Sequence, residues 1–361
     1  MTLSENSIKC LKGLIKKLHI IHHHEYDKIV SKIVDIMKNT HRIDNIPINT
    51  EHLDSNILKQ IFKTNKLINV EYRDLFNLVT LNNFMPYKDA IYKHEYKSNY
   101  ENNIANVTIY HDNMHNIQNV YNEIFFIIEV FQKIFNKTNK VKLNIIYTDY
   151  KKEISDDLDA KNINSGSCIS GKVIHIWRQE ELIKVLIHEL GHFYEIDKFT
   201  TDVNSELIRL FNSECNYKLQ ETFVEMIAVI VNICYVIYSF KYVNIMANFW
   251  SMMNYEYTFT NIQVSKLLNI YQKLDPCIMN KKTAIFSYYV LKLYVMHSLI
   301  AFDIYRPEST LDAIAKSLHN NFTQDVIAKS LHNNFVINHI YDGNNDFIQH
   351  TMRMTCIELI K

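Results

Sequence analysis

The sequence predicts an α+β fold that is predominantly helical and contains one small mixed sheet. Residues 107–111, 142–147 and 172–177 have the composition and apolar pattern of strands, and an amphipathic helix over 120–135 separates the first two. Helical periodicity precedes this stretch and returns after residue 197. The later predicted helices cover 204–212, 216–240, 243–253, 259–274 and 281–305.

Three regions follow from these patterns. Residues 1–100 are expected to form a helical N-terminal region, and residues 101–305 contain the sheet and the longest helices. Residues 306–361 are expected to form a helical tail, in which the sequence of 314–322 recurs in 327–335, thirteen residues later. Thirteen residues do not return a helix to the same face, and two copies are too few for a solenoid. We interpret the repeat as a local duplication without a function of its own.

The charge composition argues against binding to polyanions. The chain of 361 residues has 39 basic and 39 acidic residues, so its formal net charge is zero. Such a balance gives no field that would attract nucleic acid or an anionic membrane. We therefore expect neither as a partner, and the oligomeric state stays open.

Cysteine usage and the N-terminal sequence predict an intracellular protein. The six cysteines are widely scattered without paired spacing, which is typical of reduced thiols. Residues 1–11 lack the apolar core of a signal peptide, so secretion is not expected. Residues 223–240 are apolar enough to suggest a membrane span, but Glu225 and Asn232 interrupt them, which favours a buried helix.

An H-E-x-x-H pattern at His188, Glu189 and His192 lies within residues 179–197, which have the apolar periodicity of one buried helix. Histidines four residues apart lie one above the other on a helix and can bind one zinc ion. The glutamate between them can reach a water on that ion without ligating it. The pattern predicts a Zn²⁺ site with His188 and His192 as ligands and Glu189 as the catalytic base.

A catalytic zinc site needs a third protein ligand and an open position. No histidine lies between His192 and His297, so the third ligand is expected to be a carboxylate from a later helix. The candidates are Glu206, Glu214, Glu221 and Glu225. Glu221 and Glu225 are one turn apart on an otherwise apolar helix, where buried carboxylates require strong partners. We assign Glu221 as the ligand and Glu225 as the acceptor of a ligating histidine's N–H, with the reverse assignment still open.

At these positions the sequence resembles the gluzincins, zinc metallopeptidases in which two histidines of one helix and a later glutamate bind the metal. The sequence E-T-F-V-E at 221–225 is also similar to the corresponding helix of lethal-factor-like toxin peptidases. More closely, a set of short sequences resembles a group of uncharacterised zinc-metallopeptidase-like proteins of large DNA viruses. They are N-x-N-S-G, I-x-I-W-R-x-E-E, K-V-L-I-H-E-L-G-H, E-T-F-V-E and S-Y-Y-V-L-K. The resemblance covers residues 140–300 and includes neither the N-terminal region nor the duplicated tail.

The resemblance implies a zincin-like catalytic domain. In zincins a strand, a helix and two further strands precede the metal helix, and the strand directly before that helix is the sheet edge that binds an extended substrate. Backbone hydrogen bonds to such an edge make the substrate an additional strand. We therefore expect residues 172–177 to be this edge strand, the alternative being an ordinary buried strand.

The resemblance also implies a zinc metallopeptidase that hydrolyses peptide bonds with a metal-activated water and Glu189 as general base. The oxyanion needs a further donor, for which we choose Tyr288. The other candidates are Tyr217, Tyr289 and His297. The expected partner is a peptide or protein substrate, in the host cytoplasm or the virion if the source is viral. Two alternatives stay open: a virion or host-interaction protein that keeps the zincin fold and zinc without turnover, and a hydrolase of non-peptide amides.

Overall fold

A computed structural model describes most of the protein between residues 24 and 357. The described residues are 24–65, 72–81, 88–94, 96–112, 116–155, 157–198, 205, 207–208, 214–271, 275–298, 304 and 350–357. The duplicated sequence at 314–335, most of the predicted helix 204–212 and Glu206 lie outside them.

The described residues form an α+β fold with a mixed six-stranded sheet. The strands are β1 (Asn49–His52), β2 (Tyr96–Glu101), β3 (Ala105–His111), β4 (Val141–Ile146), β5 (Gly166–Ile169) and β6 (Val173–Ile176). The helices are α1 (His24–Lys38), α2 (Ser55–Thr64), α3 (Arg73–Leu81), α4 (Lys88–Ile91), α5 (Ile117–Phe135), α6 (Ala160–Ile163), α7 (Leu182–Phe193), α8 (Leu219–Ser239), α9 (Ile245–Tyr271), α10 (Pro276–Met279) and α11 (Lys292–Ser298). A π-helix, Phe286–Leu291, directly precedes α11.

The chain forms two compact units. The sheet unit consists of residues 40–151 and 164–195 and contains all six strands together with α2–α5 and α7. The helical unit consists of residues 1–39, 152–163 and 196–361 and contains α1, α6, α8–α11 and the π-helix. The three regions expected from the sequence stay a prediction.

The strand order in the sheet unit is β1-β2-β3-β4-β6-β5. Strands β3, β4 and β6 are parallel, whereas β1, β2 and β5 pair antiparallel with their neighbours. Helix α5 connects β3 to β4, because a parallel pair needs a long crossover. The predicted strands and the helix between them are confirmed, since their inward residues, such as Val107, Ile145 and Phe131, are buried completely.

The prediction that residues 172–177 form the sheet edge is wrong. Strand β6 lies between β4 and β5, and β5 is the outer strand. The chain reverses between β5 and β6 at Gly171, which has a φ of 65°. Strand β5 has the sequence G-S-C-I and is only half-buried, so it lacks the apolar alternation by which strands are recognised.

Two further strands interrupt the predicted helical N-terminal region. Strands β1 and β2 pair with each other, and β2 also pairs with β3. Their sequences, N-T-E-H and Y-K-S-N-Y-E, are mostly polar because most of their side chains are exposed or half-buried. Helices α2–α4 pack with Tyr110 and Ile146, at the ends of β3 and β4, in one hydrophobic cluster.

Helix α8 is the central element of the helical unit, where it contacts α1, α9, α11 and the π-helix. Among the described residues it is the one helix long and apolar enough to cross a membrane, with a mean hydropathy of 1.8. However, 89% of the corresponding window is buried inside the protein, and a single helix of this kind is weak evidence for a span. The two predicted helices 243–253 and 259–274 are one continuous helix, α9.

Candidate metal centre

Helix α7 carries the first three predicted site residues. It has twelve residues, and its apolar side chains Leu186 and Leu190 are fully buried. The helix ends at Tyr194, whose hydroxyl donates to the carbonyl of Asn139 at 2.9 Å and accepts from Gln132 at 2.8 Å. Burial raises the pKa of Tyr194 to about 12, so the phenol stays protonated. These contacts fix the helix end that carries the second histidine.

The two histidines of α7 face each other. Their ring centroids are 4.9 Å apart, and the Nε2 atoms of His188 and His192 are separated by 3.1 Å. Two ligands held at about 2.0–2.1 Å by one tetrahedral ion would lie about 3.3 Å apart. The observed separation therefore fits two imidazoles that share a metal ion. His188 is buried and His192 half-buried.

Glu189 points towards strand β5. A Cβ atom on Gly166 would lie 2.6 Å from Oε1 and 2.9 Å from Cγ of Glu189. Real Cβ atoms do not approach other atoms so closely, so only glycine fits here without a shift. The buried Glu189 carboxylate thus lies directly against the backbone of the edge strand.

Glu221 lies in the first turn of α8, where Tyr288 contacts it. The Tyr288 hydroxyl donates to Oε2 of Glu221 at 3.1 Å. The π-helix that carries Tyr288 is held against the start of α8, because Thr222 donates to the carbonyl of Ser287 at 2.9 Å and Ser287 donates to the carbonyl of Tyr217. The two side chains are therefore positioned by the same helix contact.

The predicted metal ligands come together. One ligand atom from each of His188, His192 and Glu221 lies within 4.8 Å of the other two. Two imidazole nitrogens and one carboxylate oxygen form a donor set that suits zinc and leaves a fourth position for water or substrate. The side chains present thus fit a bound Zn²⁺ ion, although a metal ion of another identity also accepts such donors.

Glu225 forms a buried ion pair. Its Oε1 accepts from Nζ of Lys292 at 3.1 Å, and the two side chains are 0% and 1% exposed. A buried carboxylate needs such a partner because desolvation is costly. The predicted contact between Glu225 and a ligating histidine stays a prediction.

The other predicted candidates have different surroundings. Glu214 is exposed, and the side chain of His297 lies outside the described residues. The Tyr289 hydroxyl donates to the carbonyl of Met352 at 2.6 Å, whereas the Tyr217 ring packs on Phe286 with a centroid separation of 6.1 Å. Tyr288, the predicted oxyanion donor, contacts Glu221.

A disulfide joins Cys215 and Cys277. The prediction that all six cysteines are reduced is therefore wrong for this pair, since a separation of 62 residues gives no local spacing signal. Cys234 and Cys356 are free, and the intracellular location stays a prediction.

No protein-family model, curated protein or solved structure matches the chain. The resemblance to gluzincins thus rests on the sequence patterns alone.

Sequence reasoning missed two residues that shape the site. Lys292 was part of a quoted sequence, but its burial beside Glu225 depends on how α8 and α11 pack. Gly166 is the last residue of the sequence N-x-N-S-G, which allows close backbone approach but does not identify the side chain that approaches it.

Proposed function

We propose that the chain is a zinc-dependent peptidase of the gluzincin type. The observation that carries this proposal is the convergence of His188, His192 and Glu221, with Glu189 adjacent to the first of these ligands on α7. A site that only stabilised the fold would have no need of a carboxylate beside an open metal position.

When bound, zinc supplies Lewis-acid polarisation of a substrate carbonyl and lowers the pKa of a coordinated water. His188 and His192 contribute neutral imidazole nitrogens, and Glu221 contributes one carboxylate oxygen. The Glu189 carboxylate accepts the proton of the attacking water and passes it to the leaving amide nitrogen. The Tyr288 hydroxyl orients Glu221 and is a donor for the oxyanion.

The substrate binds as an extended peptide along strand β5. This strand is the sheet edge, and its Gly166 lies against the general base Glu189. An added strand would pair with the backbone of β5 and bring its own backbone carbonyls towards the metal ligands. In this proposal β5 takes the substrate-binding role that the sequence analysis expected of residues 172–177.

A peptide-library digestion with a matched pair of variants tests the peptidase function. Glu189→Gln keeps size and polarity but removes the proton acceptor, so turnover is expected to fall at least about a hundredfold while zinc stays bound. Glu195→Gln makes the same change at an exposed position two residues after α7 and is expected to retain wild-type turnover. Wild type treated with a chelator defines zero activity.

Equal rates for wild type and Glu189→Gln would remove Glu189 from the mechanism. Bound zinc without cleavage of any library peptide would favour a zinc-containing interaction protein instead.

A further inference from the structure

Residues 350–357 form an extended segment that is buried in the helical unit. Residues 351–357 are all buried. The segment enters along residues 152–154, where Ile154 N donates to His350 O and Met352 N donates to Lys152 O, both at 2.8 Å. Beyond this short pairing, side chains of the surrounding helices hold its backbone.

Five carbonyl groups of the segment accept hydrogen bonds from side chains. The donors are Lys266 to Thr351 (2.8 Å), Tyr289 to Met352 (2.6 Å), Gln263 to Arg353 (2.9 Å), Lys292 to Met354 (2.6 Å) and Asn232 to Ile357 (2.8 Å). These donors come from α8, α9, the π-helix and α11. The helices therefore bind the segment through its backbone, as a peptide-binding protein binds an extended ligand.

The backbone amides of the same segment are bound by one carboxylate. Oε1 of Glu256 accepts from the amides of Cys356 at 3.0 Å and Ile357 at 2.9 Å, and from the Thr355 hydroxyl. Glu256 is fully buried. Without the segment, this carboxylate would lose three donors in a buried position, which is costly.

Lys266 is a second buried charged residue that binds the backbone of the segment. Its side chain is 2% exposed, and burial lowers its pKa to about 7. The carbonyl of Thr351 is its hydrogen-bond acceptor. Glu256 and Lys266 both belong to α9 and bind opposite ends of the segment. Two buried charged side chains that bind this backbone define a groove that is unfavourable when empty.

The groove and the candidate metal ligand share one element. Tyr289 binds the carbonyl of Met352, while its neighbour Tyr288 binds Glu221. Lys292, directly after the π-helix, binds both the carbonyl of Met354 and the carboxylate of Glu225. Movement of the segment would thus be transmitted to the glutamates of α8.

We propose that residues 350–357 are a tethered peptide ligand of the helical unit, and that its occupancy of the groove positions Glu221. The groove accepts an extended peptide in trans when the tether is cut. The second half of the proposal rests on the proposed metal site, whereas the first half does not.

The experiment uses the full-length, folded protein with a site-specific protease sequence inserted between Gly343 and Asn344. After cleavage, the fragment that begins at Asn344 is expected to co-elute with the rest of the chain. A fluorescent synthetic peptide covering residues 344–361, added in excess, is expected to exchange with it, measured by anisotropy.

Two adjacent hydroxyl deletions provide the matched control. Tyr289→Phe removes a donor to the segment and is expected to speed the exchange about three- to tenfold. Tyr288→Phe removes the hydroxyl that binds Glu221 and is expected to leave the exchange rate unchanged. Equal peptide-exchange rates in both variants would contradict the proposal that residues 350–357 are a bound peptide ligand. Immediate loss of the fragment with an unchanged melting temperature would contradict it as well.

Zinc affinity of the cleaved protein tests the coupling. Removing the fragment is expected to weaken zinc binding, measured by competition with a chromophoric chelator, and adding the synthetic peptide is expected to restore it. Zinc affinity that does not respond to the peptide would overturn the coupling. A protein that binds no zinc before cleavage would refute the proposed metal site, while the exchange rates would still decide the ligand half.

Discussion

At the scale of single residues, the space beside Glu189 determines what this carboxylate can do. Gly166 provides that space because any Cβ at its position would collide with the carboxylate. The proposed general base is thereby held by the backbone of β5 on one side and by α7 on the other. Misplacing a catalytic group by about 1 Å can cost about a hundredfold in rate.

Gly166→Ala is therefore expected to reduce turnover at least about tenfold while zinc stays bound, because the added methyl group displaces Glu189 and not the ligands. Ser167→Ala, at the next residue of β5, is the control and should retain activity. Peptidase rate and zinc content of both variants are the measurements. Unchanged turnover in Gly166→Ala would show that Glu189 is free to move.

The residues of α7 could be predicted from sequence because the helical period alone places His188 and His192 together. Glu221 could be proposed because a carboxylate on an apolar helix needs a partner. The contact between Gly166 and Glu189 could not be predicted, since it depends on how the β5–β6 hairpin lies on α7. That geometry is set by tertiary packing.

At the scale of elements, the π-helix links α8 to the segment 350–357. The sequence predicted ordinary helix over 281–305, because a π-helix has the same apolar composition and differs only in its hydrogen-bond spacing. Adjacent residues of a helix point in different directions, and Tyr288 and Tyr289 contact Glu221 and the carbonyl of Met352, respectively. A pattern of apolar residues does not contain this information.

The two glutamates of α8 are expected to respond differently to loss of charge. The Glu221→Gln variant should lose most of its zinc affinity, because this carboxylate is the proposed third ligand. Glu225→Gln should keep the metal, with an affinity reduced by at most about 10–100-fold if Glu225 also orients a ligating histidine. Metal titrations of both variants are the measurement, and the reverse ranking would make Glu225 the ligand.

The free energy of unfolding should show the opposite ranking, with Glu225→Gln the more destabilising of the two substitutions. Glu225→Gln leaves the Lys292 ammonium buried without its counter-charge, so unfolding should become easier by about 3–5 kcal/mol. Glu225→Gln combined with Lys292→Met should recover part of that loss. Chemical denaturation of metal-free protein measures both, and a double variant no more stable than Glu225→Gln would contradict a coupled pair.

At the scale of the whole molecule, buried histidines should make the protein sensitive to acid. Burial lowers the pKa of His94 and of His175 to about 4, below the ordinary value of 6.5. Between these values the unfolded chain binds more protons than the folded one, so stability is lost as the pH falls from 6.5 to 4.

The expected slope is at most about 1.4 kcal/mol per pH unit for each histidine. Denaturation of chelator-treated protein at several pH values measures this slope without a contribution from metal release. His94→Gln should flatten the curve between pH 6.5 and 4 and leave the pH dependence above pH 7 unchanged, because His94 is neutral in both states there. A wild-type curve that is already flat would contradict the role of buried neutral histidines.

The fold class could be predicted because long helical periodicity and three apolar strands dominate the sequence. The strand order could not, since β1, β2 and β5 lack the apolar alternation of a recognisable strand and are placed by pairing with their neighbours. The error about the sheet edge has the same origin, because β5 is one of these three strands.

X-ray absorption at the zinc edge of the purified protein identifies the atoms that bind the metal. We expect about one zinc per chain, with two imidazole nitrogens at about 2.0–2.1 Å, further oxygen ligands and no sulfur. Glu221→Gln should lose the metal or alter the oxygen shell while the imidazole signal of any remaining zinc persists. A wild-type protein without zinc, or a spectrum with thiolate sulfur at about 2.3 Å, would contradict the assignment of His188, His192 and Glu221.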